Sequence, residues 1–249
     1  SPASAEVLYA CAFLYPTGIP EELLVIGAAH LGGALAQELA EISHPIPLDA
    51  VLEPLLRYSL LRRVAESSLL HIHRMVQEAV KHAMPPALQM QWLCRVLLAV
   101  EKAFPTGTFS TWPQCQRLLP HVRAIADALG KTPSPLRMRS AGLLFNRVGL
   151  FLSEQASYVE AERFLMAARP HFDQSGSETD PALVENTGYL ASVYHCQGRY
   201  AEAEQHYQLV REHRLRVSGE ESLSYAQSLR LLRLKRISTA WKLVSSRFR

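Results

Sequence analysis

The stretch from Asn186 to Tyr207, NTGYLASVYHCQGRYAEAEQHY, has the pattern of two helices joined by a tight turn. Its apolar and aromatic residues recur at helical spacing on both sides of Gly198, a residue type favoured where helices end. Ala191 in the first helix and Ala203 in the second are small, and helices approach closely only where such residues meet. The stretch therefore predicts one helix–turn–helix unit that packs along these alanines.

A second copy of this pattern lies 42 residues earlier and repeats the core Y-x-x-A-E, which begins at Tyr158 and again at Tyr200. Self-similarity at a fixed spacing is the sequence signature of a helical solenoid. The order of small and large residues resembles a tetratricopeptide repeat of the long-loop type found in kinesin light chains. We therefore predict an α-helical solenoid over residues 136–232, the alternative being an ordinary antiparallel helical bundle.

A third copy begins at Leu223 but departs from the pattern, because Arg233 stands where the repeat needs a small residue. All 23 acidic residues precede position 227, and seven basic residues follow it, so the net charge of +3 originates in the tail. We expect residues 233–249 to form a basic C-terminal tail. A tail that binds anionic membrane or nucleic acid is an open alternative. For the folded body we expect neither partner, because its basic residues form no face with interleaved aromatics.

Length and composition indicate a folded protein of one large or two small domains, since 48% of the 249 residues are hydrophobic. The longest apolar run, 23–36, is broken by His30 and three glycines, so no segment is suited to cross a bilayer. The four cysteines lack paired or metal-like spacing, which suits a reducing cytoplasm. The chain begins with Ser and without a signal peptide, so we expect a cytoplasmic fragment of a longer protein.

The first 84 residues alternate between helical and strand-like patterns. Apolar periodicity and helix-start residues predict helices over 3–14, from Pro20, over 48–58 and over 74–82. Between the last two helices, residues 59–65 and 69–72 flank a polar turn and predict a short β-hairpin. This order predicts a winged-helix domain over residues 1–84, so the fold class is mainly α with one hairpin.

Residues 85–135 contain two apolar-periodic helices, over 88–103 and 114–129, without the alanine and tyrosine signature of the repeats. We interpret this segment as a helical linker that forms the N-terminal cap of the solenoid. Pro133 and Pro135 then mark a hinge before the first clear repeat.

Three stretches of the N-terminal half resemble a known family. They are ACAFLYPTGIPEELL from Ala10, LEPLLRYSLLRR from Leu52 and LLHIHRMVQEAV from Leu69. The order resembles the winged-helix domain that closes the nucleotide-binding module of the NB-ARC class of signal-transduction ATPases with numerous domains, the STAND class. In that family a tetratricopeptide array commonly follows this domain, which agrees with the repeats found independently.

The family carries a Met-His-Asp motif whose histidine contacts the β-phosphate of bound ADP and keeps the switch closed. Ile72-His73-Arg74 occupies that place and matches it at His73 alone. The resemblance thus implies that His73 is a cofactor-binding residue, with ADP or ATP and Mg bound in the intact protein and no cofactor held by this segment itself. The residues alone favour a structural histidine at a strand–helix junction, and only the resemblance favours the binding role of His73. His71 and His73 are half of a zinc site, but no third ligand is close in sequence, so we expect no metal.

No catalytic constellation is present: the chain lacks a Gly-rich phosphate loop, a G-x-S-x-G motif and paired helical carboxylates. We therefore expect that the chain itself is not an enzyme and that an ATPase core lies upstream. Our leading interpretation is the regulatory and sensing part of a STAND ATPase. The alternative is a stand-alone tetratricopeptide scaffold or adaptor with no nucleotide role.

The first helix of each repeat is expected to form the concave face of the solenoid and to bind a protein or peptide there. The polar positions predicted to face the partner are Asn146 and Glu154 in the first repeat, Ser192 and His195 in the second, and Gln227 and Arg230 in the third. The alternative is that this face is buried against the winged helix. Oligomerisation of the full-length protein stays open.

Overall fold

The computed structural model of the chain describes residues 1–40, 47–64, 67–106, 109–132, 137–172 and 180–218. The described residues fall into two compact units, which divide between residues 136 and 137. The described part is mainly α-helical with a small antiparallel sheet, as the sequence predicted. Among the described helices, none combines the length and the apolar character needed to cross a membrane. The predicted hinge at Pro133 and Pro135, the third repeat and the basic tail 233–249 lie outside the described residues.

The first unit contains eight helices and three short strands in its described residues. In chain order they are α1 (Pro2–Phe13), β1 (Ile19–Pro20), α2 (Glu21–Ile26), α3 (Ala28–Leu31), α4 (Gly33–Ala40), α5 (Pro47–Arg57), β2 (Leu61–Val64), β3 (Leu69–Ile72), α6 (Arg74–His82), α7 (Pro86–Ala103) and α8 (Trp112–Gly130). A short 3-10 turn, Phe109–Thr111, precedes α8.

Helix α1 is the centre of this unit. Ala3, Val7, Ala10 and Cys11 are fully buried, and the helix packs against α4, α5, α6 and α7. A helix that is apolar on all sides must be covered on all sides, which explains why other helices surround it. Burial also raises the pKa of the Cys11 thiol to about 12.

The predicted hairpin is confirmed as β2 and β3, and a third strand accompanies it. The sheet order is β1-β3-β2, with both pairs antiparallel. Across the hairpin Arg62 faces His71, and β1 pairs Ile19 with Leu70. Strand β1 is only two residues long, too short for the alternation that reveals a strand, so the sequence pattern did not predict it.

The pair α7 and α8 joins the first unit. Helix α7 packs against α1, α2 and α3, and α8 contacts β1. The apolar face predicted for α7 is buried, with Trp92 and Val96 among its least exposed residues. Residues 85–135 were predicted to form a linker and cap, whereas the packing of α7 and α8 makes these two helices part of the N-terminal core. The reason is that α7 presents its apolar face to α1.

The second unit contains two helical hairpins in its described residues. Its helices are α9 (Arg139–Glu154), α10 (Tyr158–Ala168), α11 (Pro181–Cys196) and α12 (Tyr200–Ser218), with a 3-10 turn at Arg169–His171. Helix α9 pairs with α10, α11 pairs with α12, and α11 also packs on the first hairpin. Ala191 and Ala203 are buried, at 0% and 2% exposure, as their small size predicted.

The turns of the two hairpins have the same hydrogen bonds at the predicted 42-residue offset. In the first turn the Ser157 amide donates to the Leu152 carbonyl at 2.9 Å, and in the second Arg199 donates to Tyr194 at 2.9 Å. The residue before each donor is left-handed, with φ of 58° at Ala156 and 83° at Gly198. The register read from the sequence therefore matches the backbone geometry.

Candidate functional site

A cavity of about 690 Å³ lies beside the β2–β3 hairpin of the first unit. Its volume is in the range of sites for small molecules and cofactors. The residues that line it are Thr17, Leu56, Ser59, Leu60, Leu61, Arg62, Arg63, His71, Ile72 and His73. Among the described residues, the lining contains two arginines and two histidines but no carboxylate, so this cavity suits an anionic ligand.

His73 is an exposed residue at the junction of β3 and α6. It is the N-cap of α6, and its Nδ1 accepts a hydrogen bond from the Met75 amide at 3.2 Å. Because Nδ1 is the acceptor, the neutral ring carries its proton on Nε2. His73 therefore retains one N–H group that can donate to a phosphate oxygen.

The backbone that carries His73 is anchored on the C-terminal end of α1. The Ile72 amide donates to the Pro16 carbonyl at 2.9 Å. Behind it, the buried Gln77 amide group donates to the carbonyls of Cys11 and Leu14, each at 2.9 Å. These hydrogen bonds hold the backbone around His73 in place, and a binding residue needs such support if its donor group is to stay aligned with a ligand.

The two arginines of the lining differ in their partners. Arg63 donates to Glu21 at 2.6 Å and to Asp49 at 2.5 Å, so two carboxylates compensate its charge. Arg62 is exposed and, as the neighbouring residue of a strand, points to the other face of the hairpin. His71 lies opposite Arg62 on the neighbouring strand β3 and is half-buried.

Asn146, predicted to face a partner, is buried with 4% exposure in the second unit. Its Nδ2 donates to the Ala182 carbonyl at 3.1 Å, and its Oδ1 accepts from Asn186 at 2.7 Å. Asn186 also donates to the Leu165 carbonyl at 2.8 Å. The predicted placement of Asn146 on an open surface is therefore wrong, because α11 covers it and uses its amide to join the two repeats.

The other predicted partner residues do not form one open surface in the described part of the second unit. Ser192 is half-buried, with its hydroxyl 3.0 Å from the Tyr207 hydroxyl, and the His195 ring packs edge-on against Tyr200. Both side chains thus turn toward α12 of their own repeat. Glu154 is exposed at the end of α9. Gln227 and Arg230 lie outside the described residues.

Sequence reasoning missed Arg199, which connects the two repeats. Its guanidinium donates to Glu162 of the first repeat at 2.8 Å and to Glu202 at 2.6 Å. It also lies over the Tyr194 ring, 4.2 Å from the ring centre. The hydrogen bond from Arg199 holds the pKa of Glu202 below its usual range. The clue in the sequence was an arginine directly after the turn glycine.

A smaller cavity of about 210 Å³ lies in the second unit. Apolar side chains of α11 and α12 form its walls, and Arg169, His213 and Arg216 also line it. None of the described residues that line this cavity is a carboxylate, so their chemistry suits an acidic group attached to an apolar one.

Two family models match parts of the chain. Residues 1–88 match a family described as "Domain of unknown function (DUF7779)", and residues 182–232 match a tetratricopeptide repeat. No curated protein and no solved structure matches the chain. The second match confirms the predicted tetratricopeptide repeats, which generally mediate binding between proteins. The first match carries no functional description.

Proposed function

We propose that this chain is the regulatory and sensing part of a STAND signalling ATPase of the NB-ARC type. In this proposal residues 1–84 are a winged-helix domain that holds the ADP-bound off state through His73. The repeats bind a protein or peptide cue. The chain performs no catalysis itself, and another domain binds ADP or ATP with Mg and hydrolyses the ATP.

The observation that carries this proposal is the position of His73. It stands exposed at a strand–helix junction, keeps an Nε2 proton for donation, and lines a cavity whose described residues include no carboxylate. The position agrees with the histidine that the resemblance implies. Ile72 replaces the methionine of the family motif and is buried at 3% exposure, so the apolar role of that position is retained. Arg74 is exposed and adds a positive charge beside the histidine.

The experiment compares ADP release from the full-length protein and from its His73→Ala variant. A hydrogen bond to a charged acceptor contributes about 1.5–3 kcal/mol, so we expect ADP to dissociate roughly 10- to 100-fold faster. Basal signalling activity should rise in parallel, because the off state is weakened.

The matched control is His82→Ala, which removes an exposed histidine from the same helix without touching the cavity. Dissociation is followed with a fluorescent ADP analogue at one fixed pH. If His73→Ala and His82→Ala release ADP at the wild-type rate, His73 has no phosphate contact. The scaffold or adaptor interpretation then gains support.

A further inference from the structure

We infer that Arg62, His71 and His73 form a row of donors that binds a diphosphate in the cavity beside the hairpin. The inference rests on the proposed nucleotide function and deepens it. It adds two residues to the site and specifies the charge class of the ligand group. We refer to the three residues as the hairpin donor row.

The register of the hairpin brings the row together. Arg62 on β2 and His71 on β3 are direct partners in an antiparallel pair. Side chains of such partners lie on the same face of the sheet and close to each other. His73 follows two residues after His71, and all three residues line the same cavity.

The charges around the cavity favour an anion over a cation. In the part of the chain that the structure describes, Arg62 forms no ion pair, whereas its neighbour Arg63 is compensated by Glu21 and Asp49. Both carboxylates are therefore used by Arg63, and none of the lining residues that the structure describes is acidic. An anion bound at Arg62 meets a guanidinium that no described carboxylate neutralises.

The length of the row favours a diphosphate over a single phosphate. His71 and His73 are two residues apart, which corresponds to roughly 6.5 Å along an extended chain. Arg62 offers a planar fork of donors that matches phosphate oxygens in pairs. Two linked phosphates can accept from both ends of such a row, whereas one phosphate reaches only part of it.

The test measures binding of inorganic pyrophosphate and of orthophosphate to the 249-residue chain by calorimetry at low ionic strength. We expect pyrophosphate to bind more tightly than orthophosphate, and added salt to weaken both. Arg62→Gln should weaken pyrophosphate binding about tenfold or more, because it removes a charge-assisted contact. His71→Gln should weaken it by a smaller factor.

The matched control is Arg163→Gln, which changes the net charge equally at an exposed position of α10 in the second unit. Pyrophosphate affinity should stay at the wild-type value in this variant. Circular dichroism and melting curves verify that each variant is folded. Arg62 is exposed, so its replacement should leave the fold intact.

The outcomes test the donor row and the proposed nucleotide function independently of each other. Equal affinities for Arg62→Gln and Arg163→Gln, or no pyrophosphate binding by the wild-type chain, would overturn the donor row. Faster ADP release from full-length His73→Ala would in that case still support the nucleotide role. A loss of pyrophosphate binding in Arg62→Gln, with unchanged ADP release in full-length His73→Ala, would support a pyrophosphate site at Arg62 and reject its use as the ADP clamp.

Discussion

The two units of this protein are stabilised by contacts of different range along the chain. In the first unit, His121 on α8 accepts from the Tyr15 amide and contacts the Gly18 carbonyl, which are 106 and 103 residues away in sequence. In the second unit, packing joins helices that follow one another, along small residues such as Ala191 and Ala203. These contacts of the first unit thus join segments more than 100 residues apart, whereas the polar contacts between the repeats, Asn146 to Asn186 and Arg199 to Glu162, span 40 and 37 residues.

This difference predicts how each unit responds to mutation. A side chain that joins distant segments has no substitute, so its loss affects the whole core. In a solenoid the free energy of unfolding is approximately a sum over repeats and their interfaces. A single change there should therefore remove a limited part of the total.

The largest expected effect is that of His121→Ala in the first unit. His121 is fully buried, and its removal leaves the Tyr15 amide and the Gly18 carbonyl without this partner beside a new cavity. We expect the free energy of unfolding to fall by about 2–5 kcal/mol, measured by denaturant titration. His82→Ala, at an exposed site, should change it by less than about 0.5 kcal/mol. Equal losses in both variants would contradict the role assigned to His121.

The effect of His121 should also depend on pH. Burial lowers the pKa of His121 to about 4, although the Gly18 contact opposes this shift. In the unfolded chain this histidine binds a proton near the ordinary pKa of about 6.5. In the folded state it binds a proton only at lower pH, so protonation between these two values favours unfolding. The stabilisation is therefore complete above pH 6.5 and is lost as pH falls toward 4. The difference between wild type and His121→Ala should be smaller at pH 5 than at pH 7.

Local pattern was enough to predict most helices of the first unit but not its polar contacts. Helix α6 was predicted with its observed bounds, 74–82, and α7 within two residues at its start. Neither periodicity nor spacing could reveal that Gln77 caps the end of α1 or that His121 holds the Tyr15 to Gly18 segment. Those roles depend on partners that are brought near only by the complete fold.

An intermediate effect is expected for Ala203→Leu in the second unit. Ala203 is 2% exposed, so three additional carbon atoms must displace the neighbouring helix, at a cost of about 1–3 kcal/mol. The same change at Ala201, exposed on the same helix, should be nearly silent. The measurement is the melting temperature of the two variants. Equal values would contradict the assigned face and with it the register of the repeat.

The candidate sites show the same limit of sequence reasoning. His73 was located through a family resemblance, whereas the observed cavity and the opposition of Arg62 to His71 required the register of the hairpin. Asn146 was assigned to an open surface from helical spacing. Spacing indicates which residues share a face, but it does not indicate whether another helix covers that face.

The smallest effect is expected for substitutions in the turns of the two repeats. The two turns share one backbone conformation, but the left-handed position is Ala156 in the first and Gly198 in the second. Ala156 and Gly198 both have positive φ, of 58° and 83°, and only glycine adopts this conformation without strain. No atom lies within 4 Å of a Cβ built on Gly198, so Gly198→Ala should cost only the backbone strain, about 1 kcal/mol.

The reverse change, Ala156→Gly, should stabilise the first repeat by roughly 0.5–1 kcal/mol, because relief of strain exceeds the greater entropy of the unfolded chain. Denaturant titrations of both single variants and of the double variant test this pair. Opposite signs that cancel in the double variant would establish that the turns are equivalent. A loss of stability in Ala156→Gly would show that the alanine side chain stabilises the first turn by more than the backbone strain costs.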